Sequence, residues 1–456
     1  MESLLAFYQC LVALALGAMI IVQAKRGTVP IFAARNFFYF GVLIFQLISA
    51  ALAFTIQDYW QMGVGDPAGT GVKFSLILTT FIILFELVYR SGWFSFGLVR
   101  KLQTNFSIPS DRVMMAAAVT LVLLAVLFRF VFVYVPVFSA LAGIIGTSLA
   151  TAASGLICWI WARNLTNPLY VMVGAGVIGT AIVVTTFQAF GRRDLLSVMS
   201  CCLWGAYHGY FKYVPLRRSF IPLTVVAGCG MIMVAAFTAA RSHENTKLSQ
   251  AEMNSRILNA DIKTGVIDLL SGQYAAPISM WLIESRPSPF AYSTLHSLKY
   301  AATNIIPRVY YDSKPVALGL TMVPEAGLDE GRGEGFTVGP GLVGHIWNDN
   351  PYLALPLYAI LLGVILHVMD KIIALQPSHP LVVLPVGGAL GDLIAIARGE
   401  TGYYIFRTVA GVIVVYIALR VFTKLLMGSA ATQGPPPSVE PDEESLNAGD
   451  GYGETA

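Results

Sequence analysis

Uninterrupted apolar runs constrain this chain more than any other feature. The opening stretch, "MESLLAFYQCLVALALGAMIIVQAKRG", holds an apolar run long enough for a membrane-crossing helix, which takes about 20 residues. Comparable runs recur along the sequence. Only 12% of the 456 residues are charged and 56% are hydrophobic, whereas soluble domains carry roughly 25% charged residues. The expectation is an all-α polytopic membrane protein.

About eleven spans are expected, near 3–23, 36–56, 72–89, 113–134, 138–161, 168–188, 195–211, 219–240, 352–369, 380–397 and 402–422. No basic region precedes the first run, and Lys25 and Arg26 follow it. That reads as an uncleaved span with the N-terminus outside. The inner connections then collect Lys25, Arg26, Arg35, Arg90, Arg100, Lys101, Arg112, Arg163, Lys212, Arg217, Arg218 and Lys371. The short outer ones hold few cations, as the positive-inside rule requires. The exceptions are "GRRD" at 191–194 and "ARGE" at 397–400.

One large insert, 241–350, falls between the eighth and ninth spans and lies outside by the same count. Loops of that length without a function are uncommon. The chain thus divides into a bundle of eight spans (1–240), an extracytoplasmic loop domain (241–350), three further spans (351–424) and a Pro-rich acidic tail (425–456). The tail has too few apolar residues to fold and is expected to be disordered in the cytoplasm.

Several function classes recede on composition. A net charge of +3 supplies no basic field for nucleic acid. The five cysteines, Cys10, Cys158, Cys201, Cys202 and Cys229, all fall in apolar runs. Their spacing is neither that of a metal site nor that of a disulfide framework, so they read as core filling. No internal repeat is visible, which disfavours many transporter folds.

The cations on the outer side carry the functional signal. Arg192, Arg193, Arg241, Arg308, Lys314 and Arg398 all map there. Arg308 and Lys314 sit in "NIIPRVYYDSKP" (304–315), where prolines on both sides restrict the backbone. Arg129 and Arg407 lie inside apolar runs. An arginine within a span faces a polar cavity or a partner, or else snorkels to the headgroups. Guanidinium groups grip phosphate bidentately, so the set of eight suits a polyprenyl diphosphate whose tail runs between helices. A solvated hairpin at "GRRD", with Arg193 paired to Asp194, is the plainer alternative. Trp281, Tyr310, Tyr311 and Trp347 on the insert would stack on sugar faces, or belong to the interfacial aromatic belt.

Four patterns in this order, "FGRRD", "AAR", "NIIPRVYYDSKP" and "GFTVGPGLVGHIWNDN", together with the architecture over roughly 1–425, resemble the bacterial oligosaccharide repeat-unit polymerases of O-antigen and exopolysaccharide. His345 stands where that family usually has a glutamate. The resemblance implies an integral membrane glycosyltransferase in the bacterial inner membrane, with a cytoplasmic C-terminus. It would move a growing glycan from its undecaprenyl diphosphate onto a sugar hydroxyl of an incoming lipid-linked unit, without metal or cofactor. A chain-length regulator would be a further partner.

Such transfer needs stabilisation of the departing diphosphate and a base for the attacking hydroxyl. The catalytic expectation is Arg192 and Arg308 for the first and His345 for the second, since an imidazole titrates near neutrality. Asp194, Glu284, His296, Asp349 and Glu400 are the other base candidates. Three readings compete: a ligase moving finished glycan onto a lipid A core, a polyprenyl-phosphate-sugar transferase, and a flippase of lipid-linked oligosaccharide.

Overall fold

Eight helices in the computed structural model are long and apolar enough to cross a membrane: Glu2–Lys25, Ala34–Ile56, Pro67–Ser91, Asp111–Tyr134, Leu141–Trp161, Pro168–Thr186, Pro351–Leu375 and Thr401–Leu425. The structure describes residues 1–59, 62–92, 108–135, 138–187, 192–240, 255–270, 274–307, 310–328 and 336–426. Among them no strand occurs. The chain is an all-α, multi-pass membrane protein. Arg100, Lys101, Arg241, Arg308 and the expected disordered tail beyond 426 lie outside the described residues.

Local sequence sets the helix ends. Pro67, Pro168 and Pro351 each take the first turn of a helix, where a missing N–H costs nothing. The Asp66 carboxylate accepts from the Gly69 amide at 2.8 Å, and the Asn167 side chain from Leu169 at 3.0 Å, so two helix starts are side-chain capped.

The other three expected spans are also helical. Residues 195–211 lie largely in Arg192–Gly209, whose first turn carries Arg192, Arg193 and Asp194. Residues 219–240 lie in one helix, Leu216–Ala240. Residues 380–397 form two pieces, Pro380–Gly387 and Leu390–Ile396. Pro385 and the pair Gly387–Gly388 explain the break, since proline lacks a donor and glycine resists helix. This broken segment is buried almost throughout.

Close packing follows from small residues, as it does where lipid removes the hydrophobic drive between helices. At Gly41 a Cβ would stand 2.4 Å from the Ile394 carbonyl oxygen. The backbone of Ala34–Ile56 therefore approaches Leu390–Ile396 directly. One turn further along, Ala34–Ile56 relaxes into a π-helical stretch, Leu43–Ile48, and Gln46 donates from it to the Ala397 carbonyl at 2.6 Å.

The insert is helical too. Its segments Ile262–Leu270, Ala275–Ser285, His296–Thr303, Leu318–Glu325 and Gly341–Asn348 bury Ile278, Leu282, Leu318, Met322, Val323 and Val338 around Met62. Ala276, Met280, Ile283, Leu342, Val343 and Ile346 belong to the same core as the spans. The Glu284 carboxylate accepts from the Gly65 amide at 2.8 Å and the Asp66 amide at 3.2 Å, tying the insert to the start of Pro67–Ser91.

The far ends of these helices hold a buried ionic cluster. Arg35, fully buried, pairs with Glu86 at 3.0 Å and reaches Gln23 at 2.5 Å. Tyr39 donates to Glu86 at 2.7 Å. Asp370 accepts from the amides of Ala34 and Arg35 at 2.6 and 3.1 Å and from Tyr89 at 2.9 Å. Four spans are joined there, Glu2–Lys25, Ala34–Ile56, Pro67–Ser91 and Pro351–Leu375, with little of the cluster exposed.

Glu86 also pairs at 2.7 Å with Arg90, whose side chain is 58% exposed. The two arginines therefore offer a controlled comparison. Arg35→Ala leaves a buried carboxylate short of its partner and is expected to cost about 3–5 kcal/mol. Arg90→Ala, at an exposed pair, should cost about 1 kcal/mol or less. Thermal unfolding of the purified protein in detergent checks the difference; equal effects would contradict the burial argument.

Candidate functional site

A short helix, Gly341–Asn348, brings the first functional side chain in from the insert. Gly341 adopts φ +70, a left-handed turn that favours glycine, and swings the chain so that His345 points inward. The ring is fully buried. Ser297, near the start of His296–Thr303, places its Oγ 2.5 Å from His345 Nδ1. On the other side, His345 Nε2 lies 3.4 Å from Glu400 Oε2. Glu400 sits in the turn between Leu390–Ile396 and Thr401–Leu426, and its side chain keeps 17% exposure. It is the solvent-reaching member of an otherwise buried chain.

Gly402 makes this junction possible. A Cβ there would stand 2.2 Å from the Ser297 carbonyl oxygen, so His296–Thr303 rests on the first turn of Thr401–Leu426. Beneath it Asp349 accepts from the Ser297 amide at 2.9 Å, from Asn348 at 3.1 Å, and from the Tyr358 hydroxyl in a short contact. Arg286, 4% exposed, pairs with Glu325 at 2.6 Å and donates to Asn348 at 3.3 Å.

Burial sets the protonation of the trio. It pushes His345 down to about 3, reinforced by nearby His296 and only partly offset by the Gly399 backbone. The imidazole is neutral at pH 7, and its contact with Glu400 is not an ion pair. If Nδ1 accepts from the Ser297 hydroxyl, the ring proton sits on Nε2, which lies near Glu400 without a hydrogen bond to it. Burial also lifts Glu400 to about 7, against hydrogen bonds from the Gly319 and Leu318 backbone, with Asp349 adding to the rise. The Gly319 amide lies 2.5 Å from Glu400 Oε1. Asp349 is likewise raised by burial, against the hydrogen bonds it accepts.

A second group lies within the spans. Arg407 pairs with Asp194 in a short contact, with Asp392 at 3.1 Å and with Thr147 at 3.0 Å. Asp194 is thus committed to Arg407, where the sequence suggested Arg193. Arg193 instead lies over the Tyr404 ring, 4.8 Å from its centroid. A side chain at Gly399 would meet Arg193 Nη1 at 3.4 Å, which places this cation beside the Glu400 turn.

The eight expected phosphate-binding cations therefore separate. Arg193 and Arg398 flank the Glu400 turn, Arg398 lying 5.7 Å from the Phe45 ring centroid. Arg407 is held by two carboxylates. Arg129 donates to the Phe187 carbonyl at 2.6 Å. Lys314 donates to the Asn304 and Ile306 carbonyls at 2.9 and 3.0 Å, in the turn that follows His296–Thr303. Arg192 opens its helix; Arg241 and Arg308 lie outside the described residues.

The expected glycan platforms separate too. Tyr310 is 71% exposed. Trp347 is engaged, donating to the Arg286 carbonyl at 3.2 Å and packing on Tyr292 at 6.1 Å, and Trp281 packs on Phe290 at 6.4 Å. Tyr311 is half-buried. Of the base candidates, Glu284 serves the tie to residues 65–66 and His296 lies 2.8 Å from the Val316 carbonyl.

Sequence reasoning missed Ser297, Tyr358, Gln46 and Asp392. Only Asp392 had a visible signal, as an acid inside an apolar run, where ionisable groups are functional by default. Among the described residues no group of three or more His, Cys, Asp or Glu is placed to hold a metal ion. No protein-family model matches the chain, and no curated protein or solved structure matches it either.

Arg407→Met should leave Asp194 and Asp392 facing each other unpaired, at a cost of about 3–5 kcal/mol. Adding Asp392→Asn removes one buried charge and should recover part of that loss. Melting temperatures of the two variants in detergent test the pairing, and no recovery in the double variant would contradict it.

Proposed function

We propose that this chain is an integral membrane glycosyltransferase of the repeat-unit polymerase type, extending a glycan carried on a polyprenyl diphosphate. The observation that carries this reading is Glu400. It is a partly exposed carboxylate lifted to about 7, in contact with neutral His345, at the end of the bundle where the insert docks and beside Arg193 and Arg398. A base poised near neutral pH is what hydroxyl activation asks for. The proposal includes the eleven-span topology, with this end on the external face of a bacterial inner membrane.

The sequence argument favoured His345 as base; the buried, neutral ring suits a different role. We assign proton abstraction to Glu400, with the Gly319 amide fixing its orientation and neutral His345 packed beside it. The acceptor hydroxyl oxygen forms the new bond to the anomeric carbon and gives its proton to Glu400. The bond between that carbon and the diphosphate oxygen breaks, and its electron pair leaves on the diphosphate. Arg193 and Arg398, joined by Arg192 and Arg308 from the sequence argument, would stabilise that charge.

The test is chain growth on lipid-linked repeat units by the reconstituted protein. Glu400→Gln is expected to lower turnover about 10²–10⁴-fold, with the protein still inserted and folded. Longer glycan with released carrier supports the enzyme, whereas altered sidedness of the lipid alone supports a flippase. Wild-type turnover in Glu400→Gln would remove the residue as base.

The pH dependence has a definite sign. Only ionised Glu400 can accept the proton, so kcat/KM should rise as pH increases through about 7 and level off above it. Stability runs the other way. The folded carboxyl holds its proton from its ordinary value of 4.5 up to about 7, so stability falls across that window as pH rises. At pH 8, Glu400→Gln should therefore be more stable than wild type, by roughly 3 kcal/mol at most.

A further inference from the structure

The insert does not present a wholly polar surface. Leu258 is 85% exposed, and Ile262, Val266 and Ile267 are 44%, 40% and 56% exposed. The last three lie on Ile262–Leu270, at positions i, i+4 and i+5, and span about 140° of the helix, with exposed Lys263 between Val266 and Ile267. Gly265 on the adjoining arc is buried. A Cβ there would stand 2.1 Å from the Ala235 carbonyl oxygen and 3.2 Å from Ala239. The helix thus lies backbone-to-backbone against the last turns of Leu216–Ala240.

We propose that residues 255–270 form a membrane-surface element whose apolar arc is covered by the acyl chains of the lipid leaflet. Three observations select lipid as the occupant. The arc continues a lipid-like surface, because Met231 and Ile232 on Leu216–Ala240 are 43% and 52% exposed. The contact at Gly265 sets the helix at the level of a membrane helix end. The charge pattern also fits phosphate headgroups. Asp261 is spent as the helix cap, accepting from the Lys263 amide at 3.0 Å and the Thr264 hydroxyl at 2.6 Å. Lys263 remains exposed in the first turn, where a lysine stem can lie along acyl chains with its ammonium among phosphates.

The consequence is mechanical; it rests on the proposed eleven-span topology, in which Leu216–Ala240 crosses the membrane, and not on the glycosyltransferase chemistry. An insert floating free in water would have its position set by its ties to the bundle alone. One grounded in the leaflet beside Leu216–Ala240 has a second fixed point.

Site-directed spin labelling of the full chain tests this. Cys10 and Cys229 are the exposed native thiols, so Cys10→Ser with Cys229→Ser is the background. Labels are placed at Ile262→Cys, Val266→Cys and Ile267→Cys, with Thr264→Cys as the polar reference, in vesicles of phosphatidylethanolamine and phosphatidylglycerol. Collision with apolar oxygen relative to a water-soluble nickel chelate is expected to be several-fold higher at the three apolar positions than at 264. Nickel access at all three equal to that at 264 would overturn the proposal. So would shielding from both reagents, which would mean that protein covers the arc, from a second copy or from residues 241–254.

Discussion

The ion pairs of Arg407 with Asp194 and Asp392 are the constraint on which the rest of this end of the molecule depends. Three helices contribute the charges, Thr401–Leu426, Arg192–Gly209 and Leu390–Ile396, and Ser139–Trp161 adds Thr147. Each charge alone would be expensive within a membrane. Together they fix where Thr401–Leu426 begins relative to its neighbours. Glu400 precedes that helix by one residue, and Arg193 precedes Asp194 by one. The register of the buried pairs is therefore also the register of the exposed acid and the exposed cation.

Burial then divides the labour between two titratable neighbours. His345 and Glu400 are in contact, yet desolvation moves them oppositely, because it always disfavours the charged form. The imidazole falls out of the physiological range and the carboxyl rises into it. An assignment by residue type alone chooses histidine, whose ordinary value is near neutrality. An assignment by environment chooses the glutamate.

How much of this was legible in the sequence follows from what each signal depends on. Spans such as Glu2–Lys25 and Pro351–Leu375 were legible because a run of about 20 apolar residues has few other uses. The broken segment 380–397 was expected as one span, since hydropathy does not register that Pro385 and two glycines split it into buried halves. For the site, Arg407 was flagged as an intramembrane charge needing a partner, but Asp194 was given to Arg193 and Asp392, an acid inside an apolar run, was passed over. Ser297 and Tyr358 were not legible. A serine in "STLHSLKY" and a tyrosine in an apolar run carry no sign of meeting His345 and Asp349 until tertiary packing brings them together.

The same logic revises "NIIPRVYYDSKP". Sequence reasoning treated Lys314 as a phosphate ligand because it is a cation between prolines on the insert. In the fold its ammonium lies against the carbonyls of Asn304 and Ile306, in the turn that follows His296–Thr303. A lysine there holds the segment's shape, and it does so by bracing the turn after the helix that positions Ser297 against His345. Near Glu400 stand two arginines from other elements, Arg193 over the Tyr404 ring and Arg398 over the Phe45 ring. Lys314 thus bears on the Ser297–His345 contact through the backbone it braces.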